Sequence, residues 1–395
     1  MPLSDRLKIS LDYYKGHAAL LAKGAYKTLG TEAKVTAFQK HGSIPLADFL
    51  NYFFIRRHEN PCFATYAARI EQTDTAIQTL KHITEIGRTI NSREGCNGTQ
   101  EQIGEAISLS VANELFGLTA ADWIKIPEQK GKKAQPTFDF ENTITGITKN
   151  NSIVQIEAKG SIVSDNTLIQ PAIRTHASSI AKKKKKIAAA ADQYTHPANA
   201  RYGMIVAIDE ANDAKCWLLD PPADDFEGSP QDLKVAARLD YVAEIVSLLA
   251  PRAKLPSALR EKAELWRAGA DSKKVESLDG FPFTSENYVE AYLAKGKTWL
   301  KKQDIVGQLY IGKENNAFFL GMRGDMIRSA IQQNSEKILE TLYKPTVEHI
   351  EITAEPITIN GFKKSSSRTM LIQLYTSTSG VVIGLPNGYW NSNKK

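Results

Sequence analysis

The stretch SIVQIEAKGS, Ser152 to Ser161, constrains the fold of this chain more than any other. Side chains alternate faces along a strand, so Val154, Ile156 and Ala158 form one apolar face while Gln155, Glu157 and Lys159 share the other. A carboxylate and an ammonium two positions apart are then held side by side on a rigid element. Just upstream, in FDFE, Phe138 and Phe140 alternate with Asp139 and Glu141, and TKNN between the two runs has the turn chemistry of a hairpin. Such a hairpin brings Asp139 close to Glu157, with Glu141 its competitor on the same face. Spacing alone carries no signal: acid-x-Lys recurs at Glu32/Lys34, Glu128/Lys130, Asp213/Lys215, Asp232/Lys234 and Asp271/Lys273. Only Glu157/Lys159 ends a clean apolar alternation with an acid one hairpin upstream.

The elements around this hairpin define a mixed α/β unit. Before it, TQEQIGEAISLSVANELFG reads as a helix with Ile103, Ile107, Val111 and Leu115 on one face, opened by a Thr99/Gln102 capping box and stopped at Gly117. After it come a helix from about Pro171 to Tyr194 and two strands, YGMIVAID and AKCWLLDP. The segment 1–95 reads as a helical N-terminal domain, from Leu46, Phe49, Leu50, Phe53 and Phe54, and then Ile77, Leu80, Ile83 and Ile86, near helical spacing. The core domain is set at 96–225. The remainder, 226–395, reads as a mixed α+β region suited to DNA recognition or dimerisation: a helix broken at Pro251, a hairpin QLYIGKENNAFFLG, a helix from Gly324 to Tyr343, and short strands near 347–353, 369–375 and 380–384.

Composition narrows the function classes. The chain has 395 residues, 42% hydrophobic and 24% charged, with a net charge of +6. That mild basic excess is compatible with a nucleic-acid partner. No apolar run reaches the roughly 18 residues needed to span a bilayer, so no membrane partner is expected. The N-terminus lacks the pattern of a secretion signal. Three scattered cysteines form neither a disulfide framework nor a zinc site, and a cytoplasmic setting follows. The histidines show no HExxH spacing, and neither GxxxxGK[ST] nor GxSxG occurs.

Two carboxylates beside a lysine suit metal-assisted phosphodiester hydrolysis. Asp139 and Glu157 can hold Mg²⁺, a hard cation bound through one or two carboxylates. Lys159 can orient or help deprotonate water and offset charge developing on the phosphate. Farther out, Gln155 shares the active face, as a substrate contact or as a polar filler, and Arg174 and His176 at the start of the following helix are within reach of substrate. Lys182 to Lys186 cover all sides of that helix, so not every lysine can face one groove, and phosphate contact and a solvated helix face are both open.

FDFENTITGITKNNSIVQIEAKG resembles the core of the PD-(D/E)xK nuclease superfamily, with Asp139 as the first acid and Glu157-Ala158-Lys159 as the second half. Pro136 stands three residues before Asp139 instead of directly before it. The resemblance spans about residues 98–220 and implies a restriction-endonuclease-like α/β core, a mixed central sheet flanked by helices. It implies catalysis by Asp139, Glu157, Lys159 and a helix-borne acid, Glu105 or, one turn earlier, Glu101. It also implies a Mg²⁺ site, open to Mn²⁺, on Asp139, Glu157 and the Ala158 backbone carbonyl. Nucleic-acid contacts then fall to Gln155, Arg174, Lys182, Lys183 and Lys186. The expected function is a Mg²⁺-dependent DNA endonuclease of the restriction or antiphage-defence kind, acting as a homodimer, with an accessory protein as activator where the flanks are regulatory. A repair or recombination nuclease, an RNase, and a catalytically silent nucleic-acid-binding subunit are the alternatives.

Overall fold

The computed structural model of the chain describes residues 5–55, 97–127, 136–144, 152–189, 198–209, 214–219, 230–249, 253–269, 275–278, 298–300, 304–311, 317–354, 358–359, 362–363 and 368–386. In chain order the helices are α1 (Ala18–Leu21), α2 (Gly24–Thr28), α3 (Thr31–His41), α4 (Leu46–Ile55), α5 (Asn97–Phe116), α6 (Pro171–Ala189), α7 (Pro230–Leu249), α8 (Leu255–Arg267), α9 (Gly324–Ile331) and α10 (Ser335–Glu340). The strands are β1 (Arg6–Tyr13), β2 (Ser43–Pro45), β3 (Trp123–Lys125), β4 (Phe140–Ile144), β5 (Ser152–Ile162), β6 (Ala200–Ile208), β7 (Ala214–Leu219), β8 (Thr298–Leu300), β9 (Ile305–Ile311), β10 (Ala317–Arg323), β11 (Thr346–Ala354), β12 (Thr358–Ile359), β13 (Phe362–Lys363), β14 (Arg368–Thr376) and β15 (Val381–Pro386). Two compact units emerge: Arg6–Ile44 with His82–Arg238, and Met1–Asp5 with Pro45–Lys81 and Leu239–Lys395.

The first unit is mixed α/β, built on a seven-stranded sheet in the order β2-β1-β7-β6-β5-β4-β3. β5 and β6 run parallel and are joined through α6, while β3–β4, β4–β5 and β6–β7 are antiparallel. A parallel pair needs such a long crossover, which puts a helix on one face of the sheet. Ile173, Ala177 and Ile180 of α6 pack there on Ile205, Ala207, Trp217 and Leu219. Every residue of β6 is buried, the mark of a strand covered on both faces. On the other face α5 lies against β5 and β6, with the Phe116 and Tyr202 rings 5.4 Å apart. α5 ends at Gly117, whose φ of +64° is the left-handed conformation that glycine adopts freely. Lys34 of α3 donates to the Leu115 carbonyl in its last turn at 2.9 Å, satisfying an acceptor the helix leaves open.

The N-terminal segment departs from its sequence reading. Arg6–Tyr13 is a strand, not part of a helical domain, and pairs in parallel with β7, Leu11 opposite Cys216. Leu7, Ile9 and Leu11 are buried while Lys8 and Ser10 are exposed, the period-two pattern of a half-covered strand. Tyr26 then donates to the Arg201 carbonyl at 2.7 Å, and Thr31 bonds the Tyr202 hydroxyl at 2.7 Å, fastening this segment to β6. The boundary near 225 also shifts, because α7 begins in the first unit, where Arg238 and Lys234 meet buried Asp122. The apolar spacing of Ile77 to Ile86, GKKAQ and TKNN lie outside what is described, and the helix expected to open on a Thr99 cap begins two residues earlier, at Asn97, so Thr99 stands within its first turn.

The second unit carries a six-stranded sheet in the order β11-β14-β15-β10-β9-β8. Each of its neighbouring pairs is antiparallel, and β12 and β13 form a separate small hairpin. Ile305, Phe319, Ile372, Leu374 and Val382 form a core cluster. The helix expected over Gly324–Tyr343 is two helices, α9 and α10. Gln333 turns left-handed at φ 52°, and the Asn334 side chain then accepts from the Lys337 amide at 3.0 Å, opening a new helix. A buried polar knot ties α4 to this unit: Asn51 Nδ2 donates to the Tyr241 hydroxyl at 2.7 Å, and Asp48 accepts the Thr378 amide at 2.7 Å.

Candidate active site

The site forms where β4 begins opposite the middle of β5. Phe140 pairs with Ile156, so Asp139 falls opposite Glu157 on the face that Gln155 and Lys159 share. Asp139 is fixed through its backbone on both sides: its amide donates to the Ile156 carbonyl at 3.1 Å and its carbonyl accepts the Ile126 amide at 2.9 Å. Its Oδ2 accepts the Ala158 amide at 3.0 Å. Ala158 thus points its backbone groups past the end of β4 toward Asp139, which puts its carbonyl on the same edge.

Two lysines converge on the two acids. Lys159 Nζ lies 2.9 Å from Glu157 Oε1 and 3.6 Å from Asp139 Oδ2. Lys183 Nζ, from α6, lies 2.6 Å from Glu157 Oε2 and 3.7 Å from Asp139 Oδ1. Glu157 is 1% exposed in its side chain, against 21% for Asp139 and 22% for Lys159, so the cluster is buried at its base and open at its tip. Lys159 and Lys183 thus each take one oxygen of the Glu157 carboxylate.

Burial, and next the Asp139 charge, push the Glu157 carboxyl above the usual range, with Lys159 and Lys183 opposing. Burial alone would lower the Lys159 ammonium, but Asp139 and Glu157 outweigh it and hold Lys159 charged, above the usual lysine range. Lys159 thus presents a positive charge to the two acids.

Glu105 arrives from the opposite face of the sheet through an unusually close helix contact. A Cβ on Gly104 would sit 2.4 Å from the Gly160 Cα and 2.5 Å from its nitrogen, so α5 can reach β5 only with glycine there. Burial, then Asp139, lift the Glu105 carboxyl to about 7, opposed by Lys125 and Lys159. Glu101, its competitor, is exposed. Nothing in the motif pointed to Lys125.

The other residues sort by position. Gln155 is completely buried. Its Oε1 accepts from Arg201 Nε at 2.9 Å and its amide faces Glu141 at 3.4 Å, so it braces the sheet, the polar-filler alternative to a substrate contact. Glu141, half-buried, belongs to that bracing row, leaving Asp139 as the acid beside Glu157. His176 pairs with Ser161 Oγ at 2.7 Å, and burial followed by the nearby Lys159 charge keeps its imidazole below the usual range. Arg174, Lys182 and Lys186 line an open groove of about 820 Å³ along α6, with Pro136, Thr175, Ser178, Ser179 and Lys183.

The donor set fits a hard divalent cation. Asp139 and Glu157 converge on the same two ammonium groups, so two carboxylates with hard oxygen donors face one small volume. Among the described residues no group of three His, Cys, Asp or Glu forms a closed metal site. Two carboxylates suffice for Mg²⁺, which keeps several waters and takes further oxygens from phosphate.

Comparison with protein-family models, with curated proteins and with solved structures gave no match. No helix among the described residues is long and apolar enough to cross a membrane.

Proposed function

We propose that the chain is a metal-dependent endonuclease that hydrolyses DNA phosphodiester bonds, with a PD-(D/E)xK-like site. The observation that carries this reading is the convergence of Asp139, Glu157 and Lys159 from two paired strands. Held by the Asp139 and Glu157 carboxylates and the Ala158 carbonyl, Mg²⁺ would supply Lewis-acid polarisation of a phosphoryl oxygen. Lys159 presents its ammonium to the phosphate and offsets the negative charge that grows on its oxygens. Glu105, with a carboxyl near neutrality, is suited to take the proton of the attacking water. The water oxygen then forms the new bond to phosphorus as the bond to the leaving oxygen breaks. The basic groove along α6 supports a polyanionic substrate.

The test is cleavage of plasmid, linear duplex, single-stranded DNA and RNA by purified protein in Mg²⁺, with chelator controls. Asp139→Asn and Lys159→Met should each slow cleavage on the order of 100-fold or more, the usual loss for a group that stabilises developing charge. Cleavage that survives both substitutions would remove this site from the reaction. Cleavage confined to RNA would replace the substrate.

A further inference from the structure

Lys183 occupies a position that the hydrolytic reading does not need. Its ammonium touches Glu157 and approaches Asp139, on the side opposite Lys159. Two carboxylates and two ammoniums make a cluster that is neutral by count. A divalent cation entering it meets charges already balanced, so binding is strengthened when one ammonium leaves. Lys159 is held on β5 beside Glu157. Lys183 has a flexible four-carbon stem on a helix whose adjoining face lines the open groove, with Arg174, Ser178, Lys182 and Lys186 along it.

We infer that Lys183 is a built-in counter-ion, which holds Asp139 and Glu157 together in the metal-free protein and moves into the groove, onto substrate phosphate, when a divalent cation binds. This rests on the two acids being a metal site, as proposed above. The same side chain thereby links metal binding to substrate binding: it competes with the cation while paired to the acids and engages a phosphate once released.

The probe is Mn²⁺ alone, titrated by calorimetry into wild type, Lys183→Met, Lys183→Arg and Asp139→Asn. Lys183→Met keeps the apolar stem and removes the charge, so Mn²⁺ affinity should rise on the order of tenfold, the effect of about 1.4 kcal/mol of lost competition. Lys183→Arg should stay near wild type, because a cation remains. Wild-type protein supplies a second readout that needs no variant to fold. Acylation by an amine-reactive ester, mapped by mass spectrometry, should increase several-fold at Lys183 on adding Mn²⁺, with Lys182 and Lys186 as internal references. Equal or weaker Mn²⁺ binding by folded Lys183→Met, or unchanged acylation of Lys183 in wild type that binds Mn²⁺, would overturn the counter-ion role and leave the nuclease reading standing. Wild type that binds Mn²⁺ no better than Asp139→Asn would instead overturn the metal site, and this inference with it.

Discussion

Asp122 is enclosed yet ionised. Burial works against its charge, but Arg238 foremost, then Lys234, hold its carboxyl below the usual range, and the Thr119 amide adds a hydrogen bond at 2.9 Å. Lys234 is itself pushed down by burial, so Arg238, whose Nη2 lies 3.0 Å away, is the partner that dominates. Removing one charge from a buried pair leaves the other uncompensated, and Asp122→Asn is expected to cost about 3–5 kcal/mol in urea unfolding. A depressed carboxyl stabilises the fold above its unfolded pKa, near 3.9, and that contribution vanishes as pH falls through the lower folded value. Wild type should therefore lose stability in acid more steeply than Asp122→Asn. Glu105 has the opposite sign. Its folded carboxyl binds a proton up to about pH 7, whereas the unfolded one releases it near 4.5, so ionising it costs stability as pH rises between those values. Glu105→Gln should raise the melting temperature above pH 7. Wild type is expected to show a rise in single-turnover cleavage rate as pH climbs through about 7, and the substitution should abolish it. A rate profile unchanged by the substitution would exclude Glu105 as the base. None of this energetic detail is visible in the motif, since a pKa depends on what folds around the group.

The elements near the site were legible because their sequence patterns are strong and local. β5 has its alternation, α5 its apolar spacing and terminal glycine, and α6 its crossover position. β1 was harder to read. Leu7, Ile9 and Leu11 do alternate, but the helical spacing farther along outweighs three positions, and a parallel partner lies some two hundred residues away at β7. Truncation tests this directly. Removing residues 1–16 deletes a strand that sits between β2 and β7, and should give protein without a cooperative thermal transition instead of a trimmed, active core. The close approach of α5 to β5 gives a second test at this scale. Gly104→Val drives a side chain into the Gly160 backbone, and overpacking of this kind costs about 1–3 kcal/mol. Because α5 carries Glu105, cleavage should fall further than the stability loss explains, measured at a temperature where the variant remains folded.

At the scale of the whole molecule, the chain passes out of the first unit after Ile44 and leaves it finally at Arg238, inside α7. Each unit is thus assembled from separated stretches, and cutting near residue 95 would divide both. The proposed chemistry lies entirely within the first. Net charge of +6 is modest, so DNA affinity should depend on where the cations cluster more than on their total. Replacing Arg174, Lys182 and Lys186 together with Gln should weaken duplex binding. It should also flatten the log–log salt dependence, by about 0.9 for each phosphate that is no longer neutralised. An unchanged slope would put the substrate on another surface.

By itself the sequence determined the faces of β5. Period two fixes which side chains lie together whatever the rest of the chain does, and that suffices to pair Glu157 with Lys159. It also determined that an acid at Asp139 stands within a hairpin of them. The tertiary structure decided everything that depends on distant chain. It buried Gln155 against Arg201, set Glu105 beside Asp139 through the glycine approach of α5 to β5, brought Lys183 from α6 onto both acids, and carried the N-terminal strand into the sheet. Those outcomes depend on close packing and on charges made strong by burial, and local pattern encodes neither.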